Sequence, residues 1–415
     1  MIHRYLPGEE SNLEELKELC ETVGYKVVYE VEQERYPHPQ YNIGAGKLEE
    51  LKDAVRRLGI RKVIFENELK PVQEYNLAKE LNLEVVDRTR LILEIFTLHA
   101  SSLEARLQIR LAGLRYELPR AKERVRLAKR GEQPGFHGLG AYEANVYYEE
   151  ISRRIQKIQE RLGRIMERKR QELQRRKRQG VPTIALTGYT NSGKSTLFRR
   201  LTGYPAEVSS QLFTTLSTKR RLTRIGGKPC FVSDTVGFIK NVPALLISAF
   251  HSTLMEVAEA DLILLLVDSS LPLPEIKTRL GVSLSTLRQI GVLNVPIVLV
   301  LNKMDLVPVD RREEIISAAG GLLPTVMISA KRGENLDALE KLIDATLRGF
   351  ITFKARIPLS QITPTIFSQL HDNGRVDSVT YTEEFVEIKA AAPPQLAEKI
   401  RTIAWNGGSF LMGEN

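Results

Sequence analysis

A chain of 415 residues exceeds one ordinary core and, at roughly 100–200 residues per domain, implies two to four domains. With 42% hydrophobic and 27% charged residues it has the composition of a globular protein, and its longest aliphatic run, 262–267, falls far short of the roughly 20 residues that span a bilayer. The net charge of +9 leaves a polyanionic partner open, while Glu9, Glu10 and Glu14 interrupt any apolar leader, and Cys20 and Cys230 form no metal-spaced pair, so a reducing, cytoplasmic setting without a membrane is expected.

In chain order, the periodicity predicts a helix over 13–22, a strand over 25–31, a helix over 47–58, a strand over 62–65, a helix over 71–81 and a strand over 83–86. Strands alternating with helices of this length imply a small parallel α/β domain over 1–100. Ile43-Gly44-Ala45-Gly46-Lys47 resembles a phosphate loop but lacks the first glycine and the Ser/Thr after the lysine. A plain strand-to-helix turn is the first reading there, and a nucleotide contact the second.

Two long helical stretches follow over 101–180. Leu103, Leu107, Leu111, Leu114 and Leu118 recur at spacings of three and four, as do Ile151, Ile155, Ile158, Leu162 and Ile165. Two such stripes suit an antiparallel helical hairpin. Gly131, Gly135, Gly138 and Gly140 break the helical pattern between them, predicting a loop at the hairpin tip over 131–145 that carries Phe136, His137 and Tyr142. Between Ile151 and Gly180 stand twelve Lys or Arg against three Glu, a balance that suits contact with a phosphate backbone.

From 181 to 349 the pattern is that of a mostly parallel, doubly wound α/β domain, with strands expected over 183–187, 219–225, 230–233, 262–267, 297–301 and 325–328. The last segment, 350–415, predicts a small α+β domain: a strand over 351–357, a helix, strands over 376–381 and 385–389, and a helix from Pro394.

The chemistry is written in four motifs, each at the carboxyl end of an expected strand. Gly188-Tyr189-Thr190-Asn191-Ser192-Gly193-Lys194-Ser195 is a complete GxxxxGK[ST] loop between a strand and a helix that begins with Thr196 close behind. Its backbone N–H groups and the helix N-terminus suit phosphate oxygens, Lys194 the β- and γ-phosphates, and the Ser195 hydroxyl Mg²⁺. Asn302-Lys303-Met304-Asp305 selects the base, because the Asp305 carboxylate can accept both hydrogen bonds from guanine N1 and N2, a donor pair that adenine lacks. Ser329-Ala330-Lys331 supplies a backbone N–H for guanine O6. Asp234-Thr235-Val236-Gly237 places Asp234 near a Mg²⁺-bound water and the Gly237 N–H at the γ-phosphate. Thr215, within Phe213-Thr214-Thr215-Leu216, is the expected switch threonine that joins Ser195 on the metal when the γ-phosphate is present, with Thr214 as the alternative. Lys194, Thr215 and Gly237 are thus expected to carry phosphate chemistry, and a P-loop GTPase using GTP and Mg²⁺ is the fold and activity the motifs predict. Phe238 stands where a water-orienting glutamine is found in Ras-like proteins and cannot hydrogen-bond to water, so turnover is expected to be slow without help. Arg220 and Arg221 are either a solvated strand start or an arginine finger in cis.

These motifs resemble translation-factor-like P-loop GTPases, and more closely the HflX family. Phe65-Glu66-Asn67-Glu68-Leu69-Lys70-Pro71, Asn76-Leu77, the run from Val86 to Phe96, and Gln108 through Leu118-Pro119-Arg120 are similar to the amino-terminal region of that family. Asp234-Thr235-Val236-Gly237-Phe238-Ile239, Leu370-His371 and Tyr381-Thr382-Glu383 extend the resemblance over nearly the whole chain. It implies a monomeric protein that binds the large ribosomal subunit and its RNA, hydrolyses GTP there, and takes part in subunit separation, rescue or maturation. It also implies a hairpin tip directed at the peptidyl-transferase region. The tip departs from the family pattern, carrying Gly138-Leu139-Gly140-Ala141-Tyr142-Glu143 in place of Gly-Pro-Gly-Glu followed by Lys-Leu-Glu. Asn191 matches a position that helps hold a potassium ion in several GTPases lacking the glutamine. The alternative reading is a GTPase of the transfer-RNA modification type, or an RNA-binding switch that does not act on ribosomes. The former needs a catalytic cysteine or a cofactor pocket outside the nucleotide domain.

Overall fold

A computed structural model describes the chain except residues 10, 12, 132–138, 205–218, 236, 241–242, 244–255, 293–294, 322, 348, 406–407 and 413–415. The hairpin residues Phe136 and His137, the expected switch threonine Thr215 with its alternative Thr214, and Val236 therefore lie outside the described residues, as does the side chain of Tyr142. The chain divides into two compact units, the first built on residues 1–165 and the second from residue 166 onward apart from two short segments, 211–216 and 242–250.

In the first unit, β1 (Ile2–Tyr5), α1 (Leu13–Thr22), β2 (Val31–Glu34), α2 (Ala45–Leu58), β3 (Lys62–Phe65), α3 (Pro71–Leu81), β4 (Glu84–Asp87) and α4 (Arg88–His99) alternate. They make an all-parallel sheet in the order β2-β1-β3-β4 over a core of Ile2, Val31, Leu48, Leu51, Phe65 and Leu77. The strand expected over 25–31 lies instead at Val31–Glu34, because the ladder is set by β1, whose Ile2 pairs with Val31. In the stretch before it, the Met1 ammonium donates to the Tyr29 carbonyl at 2.6 Å.

The hairpin is α5 (Leu103–Gly131) and α6 (Leu139–Gln179). Leu111, Leu114, Ile151, Ile158 and Leu162 bury against one another, with Leu107, Leu118 and Ile155 at the margin, so most of the two stripes packs as the spacing predicts; Leu103, which is exposed, and Ile165, which is half-buried, lie outside the cluster. The expected tip is too long: α6 already begins at Leu139 and carries Gly140 in its first turn. Pro119 sits inside α5. Next to it, Arg120 donates to the Leu69 carbonyl at 3.1 Å and to buried Asp87 at 3.2 Å, pairs with Glu74, and lies 3.4 Å over the Tyr116 ring. Asp87 also caps α4 by accepting from the Arg90 N–H at 3.0 Å. Buried Arg88 pairs with Glu66 at 2.6 Å and with Glu15 at 3.3 Å. Much of the family-like run from Phe65 to Arg120 is therefore the polar frame that fastens α5 to its sheet.

Ile43–Lys47 does not hold a phosphate-loop shape. Gly44 is extended and donates its N–H to Gln33 at 2.8 Å, and Lys47 turns outward to Glu50 at 2.6 Å.

The second unit holds two sheets. β5 (Thr183–Gly188), α7 (Lys194–Thr202), β6 (Lys219–Ile225), β7 (Lys228–Asp234), β8 (Leu262–Asp268), α8 (Leu273–Gln289), β9 (Ile297–Asn302), α9 (Val309–Gly320), β10 (Thr325–Met327) and α10 (Leu336–Thr346) form the doubly wound domain. Its sheet runs β10-β9-β8-β5-β7-β6, parallel except for the β6–β7 hairpin. Ile184, Leu186, Leu264, Leu266, Val298 and Val300 fill its core. β11 (Ile351–Pro358), α11 (Pro364–Asn373), β12 (Arg375–Tyr381), β13 (Phe385–Ala392), α12 (Pro394–Trp405) and β14 (Ser409–Met412) form an antiparallel sheet in the order β12-β13-β11-β14. The turn of the β6–β7 hairpin docks on this last domain: Arg375 donates to the Gly226 carbonyl at 3.2 Å, and Arg224 donates to the Gly374 carbonyl at 3.0 Å.

Candidate nucleotide site

Parallel strands deliver their carboxyl ends to one edge of the sheet, the place where doubly wound folds bind ligands. At that edge β5 ends in Gly188, whose φ of +139° and contact with the Leu266 carbonyl leave no room for a Cβ. The chain then turns through Asn191 at φ +59° and Gly193 at φ +92° into α7. Thr196 is half-buried in the first turn of that helix.

Lys194 is buried, and its Nζ donates to the carbonyls of Tyr189 at 2.8 Å and Gly188 at 3.3 Å. Burial pushes its pKa down to about 8, against the pull of the nearby Asp234 carboxylate. The Ser195 hydroxyl donates to Asp234 at 2.8 Å, which brings together the two oxygen donors expected near Mg²⁺. Both suit a hard cation that takes oxygen ligands.

Asp234, Thr235 and Gly237 lie beside the phosphate loop and its strand. Thr235 donates to the Leu186 carbonyl at 2.7 Å, and a Cβ on Gly237 would crowd both the Lys194 ammonium and the Thr190 side chain at 2.9 Å. Phe238 then forms a parallel bridge to Tyr189: its N–H donates to the Gly188 carbonyl at 2.9 Å and its carbonyl accepts from the Thr190 N–H at 2.8 Å. Its ring is buried, so the side chain packs and the backbone makes the polar contacts. Tyr189 extends these contacts, its hydroxyl accepting from the Lys240 N–H at 2.8 Å and its ring facing Arg279 at 4.6 Å.

On the base side, the Asp305 carboxylate is nearly buried and held by the Ser329 hydroxyl at 2.7 Å, with Arg332 at 3.6 Å. Lys303, at φ +68°, pairs with Asp268 at 2.6 Å. Asn302 faces inward rather than toward a base. Its Nδ2 donates to the Ser192 carbonyl at 2.8 Å and its Oδ1 accepts from the Ala330 N–H at 3.0 Å, joining three of the four motifs.

Two contributors escaped the motifs. Arg200 on α7 donates to the Ala330 carbonyl at 3.0 Å and to the Lys331 carbonyl, holding the third loop in place. Asp268, at the end of β8, orients Lys303. An arginine at i+6 from a phosphate-loop lysine carries no motif, and Asp268 ends an apolar run that signals only a strand. The finger reading of Arg220 is corrected: its guanidinium donates to Thr183 at 3.0 Å and lies 5.3 Å over the Phe231 ring. Thr183 opens β5 at the end of the strand opposite Gly188, and Arg221 lies 4.0 Å over Tyr204.

Comparison with known proteins agrees with this site. Residues 10–97 match the family model for a "GTP-binding GTPase N-terminal" domain, 99–178 that for a "GTP-binding GTPase Middle Region", and 183–303 that for a "50S ribosome-binding GTPase". A GTPase HflX of Thermococcus kodakarensis is 41% identical over 381 residues, covering 89% of this chain and 86% of its own. A GTPase HflX of Caldanaerobacter subterraneus is 36% identical over 402 residues, covering 95% and 90%. The crystal structure of SsGBP in complex with GDP aligns with a TM-score of 0.50 at 31% identity, covering 83% of this chain and 98% of that one. With full-length relatives at this identity and a complete set of guanine-nucleotide motifs brought to one sheet edge, the chain belongs to the HflX family and is a GTP-hydrolysing enzyme.

Proposed function

We propose that this GTPase works in the cytoplasm, as a monomer, on the large ribosomal subunit, gripping its RNA with the helical hairpin and leaving as GTP is hydrolysed. One observation carries the reading. Lys157, Arg161, Arg164 and Arg168 recur on α6 at spacings of four, three and four, all exposed, and among the described residues none forms an ion pair. A one-sided row of uncompensated cations beside a buried apolar stripe is costly unless polyanion covers it. The description of the family matched over 183–303 names the same kind of partner. Subunit separation, rescue or maturation is the work such a switch would do. Of the two features the transfer-RNA modification alternative needs outside the nucleotide domain, the reactive thiol is not supplied by Cys20, whose pKa burial pushes up to about 11.

In this reading, residues 1–100 and 101–180 form the ribosome-facing part, 181–349 the switch and 350–415 an appended domain. Gly188 to Ser195, with Thr196, wrap the phosphates, and the Lys194 ammonium leaves the Tyr189 carbonyl for the β- and γ-oxygens. Ser195 and Thr215 hold Mg²⁺, with Asp234 reaching it through water; bound there, the ion offsets charge on the phosphate oxygens. The Gly237 N–H reads the γ-phosphate, Lys303, Asp305, Ser329, Ala330 and Lys331 form the guanine pocket, and Asn302 braces that pocket against the phosphate loop. Phe238 cannot orient the attacking water, so acceleration comes from the ribosome and from a potassium ion held at Asn191.

Sedimentation of the full chain with separated subunits in GTP, in GDP and without nucleotide tests the proposal. Co-sedimentation with large subunits in GTP, lost in GDP, together with faster phosphate release on those subunits, is the expected result. Equal partition between subunits, or release rates indifferent to them, would remove the ribosomal reading and leave the GTPase.

A further inference from the structure

The C-terminal domain has the order strand, helix, strand, strand, helix, strand, and read from β14 its sheet runs β14-β11-β13-β12. This is the ferredoxin-like arrangement, with both helices on one face. Phe353, Ala355, Ile357, Val386 and Ile388 point to that face and bury against Ile366, Leu370, Ala397 and Ile400. The opposite face holds the alternate residues of the two central strands, and their side chains are exposed from Lys354 to Arg356 and from Glu387 to Lys389. Topology alone assigns no function to it. Its residues do.

Lys354 and Lys389 are direct cross-strand partners in the β11–β13 ladder. Among the described residues neither lysine forms an ion pair. Like charges directly opposite one another destabilise a sheet, so an unrelieved lysine pair at its centre implies a ligand that relieves it. On the next rung Arg356 stands opposite Glu387 at 3.8 Å, with its guanidinium 4.3 Å over the Phe385 ring. Ser378 flanks Lys389, Thr380 flanks Glu387 and Ser409 flanks Arg356. The face thus combines a cation pair, a flat guanidinium–aromatic stack and a border of hydroxyls.

We infer that this face is a second RNA-binding surface, separate from the hairpin, on which a phosphate of single-stranded RNA bridges Lys354 and Lys389 while a neighbouring base stacks beside Arg356 and Phe385. Sheets of this kind take single-stranded RNA by combining stacking on aromatic or arginine planes with contacts to phosphate and 2′-hydroxyl groups, and the hydroxyl border serves the latter. An acidic protein segment would satisfy the lysines but leave the stack and the hydroxyls unused. The choice of RNA as the polyanion rests on the proposed function; the lysine pair does not.

The test uses the full chain and a fluorescent single-stranded RNA of about 12 nucleotides, titrated by anisotropy between about 50 and 200 mM salt. Three variants are compared with the wild type: K354Q/K389Q, Phe385→Leu, and a hairpin variant with Lys157, Arg161, Arg164 and Arg168 changed to Gln. K354Q/K389Q is expected to bind more weakly, with a salt slope shallower by about 1.4, two contacts at about 0.7 each for a single strand. Its melting temperature should be no lower than that of the wild type, because a repulsive pair is removed. Phe385→Leu should weaken binding and leave the slope unchanged. Unchanged affinity and slope in K354Q/K389Q, or a weakening that tracks a lower melting temperature, overturns the inference. So does loss of binding to a polyglutamate peptide with RNA binding intact. Loss confined to the hairpin variant sinks this inference and spares the hairpin; loss confined to K354Q/K389Q does the reverse.

Discussion

The side-chain amide of Asn302 donates to the Ser192 carbonyl at 2.8 Å, so the end of the base-selecting strand is bonded to the phosphate loop. The same amide accepts from the Ala330 N–H at 3.0 Å, and all three residues are buried. Asn302 therefore ties the phosphate loop to the Ser329–Lys331 loop, with its amide turned inward. Asn302→Ala orphans one buried carbonyl and one buried N–H, at about 1–3 kcal/mol for each group left unsatisfied. Fluorescent-nucleotide titration should show GTP and GDP affinity falling together, by roughly tenfold to a thousandfold. A loss restricted to the triphosphate would contradict this joining role.

Asp305 should decide which base is accepted. Its carboxylate is already fixed by the Ser329 hydroxyl at 2.7 Å, so little ordering remains to be done when guanine arrives. Asp305→Asn replaces an acceptor by a donor and should shift preference from GTP to xanthosine triphosphate, whose exocyclic oxygen needs that donor. Competition between the two nucleotides reads the change directly, and undiminished GTP preference would refute the guanine assignment.

Lys194 gives the nucleotide site a pH signature. Burial depresses its pKa to about 8, while the unfolded chain keeps the ordinary lysine value of 10.5. Between those values the unfolded state binds the extra proton, so the stability of the nucleotide-free protein should rise as pH climbs from about 8 toward 10.5, and the cost of burying the ammonium is carried in full below 8. Nucleotide phosphates should return the proton. Calorimetry of GDP binding in buffers of different ionisation enthalpy should show net proton uptake near pH 8.5 and none near pH 6.5; equal uptake at both values would assign the proton to another group.

Asn191 stands exposed at φ +59° on the rim of the phosphate loop, where its side chain is open to a monovalent ion beside the phosphates. Potassium should therefore stimulate hydrolysis more than sodium, and Asn191→Ala should abolish the difference. A phosphate-release assay run in both salts settles it, identical rates in the wild type being the outcome that excludes the ion.

The motifs named the nucleotide site because each sits at a strand end and strand ends of a parallel sheet converge. What they could not name are the residues that work through others. Arg200 and Asp268 reach the site through Ala330, Lys331 and Lys303, a relation that exists only after folding. Ile2–Tyr5 and Ser409–Met412 were illegible as strands, each being four residues long and needing a partner ladder to be one. Pro119 removes one backbone donor inside α5, yet the helix continues through it, with Arg120 anchored to Leu69, Glu74 and Asp87. The hairpin stripes succeeded for the opposite reason: a period of three and four already contains the packing face.

The basic row on α6 offers the sharpest test of the ribosomal reading. Lys157, Arg161, Arg164 and Arg168 lie far in sequence from every nucleotide motif, and their side chains are exposed. Changing all four to Gln should leave intrinsic GTP hydrolysis and nucleotide affinity as they are, since no bond to the phosphate loop or guanine pocket is touched. Binding to large subunits should weaken at low salt, and the slope of log affinity against log salt should become shallower by about 3.6, four phosphate contacts at about 0.9 each on duplex nucleic acid. Arg153 and Arg154 provide the internal control, because each has a carboxylate one turn away in Glu149 and Glu150. Their replacement by Gln should change the slope less than the same number of changes within the row. If the two sets alter binding equally, the row is only part of a diffuse positive surface and the hairpin has no defined face for RNA.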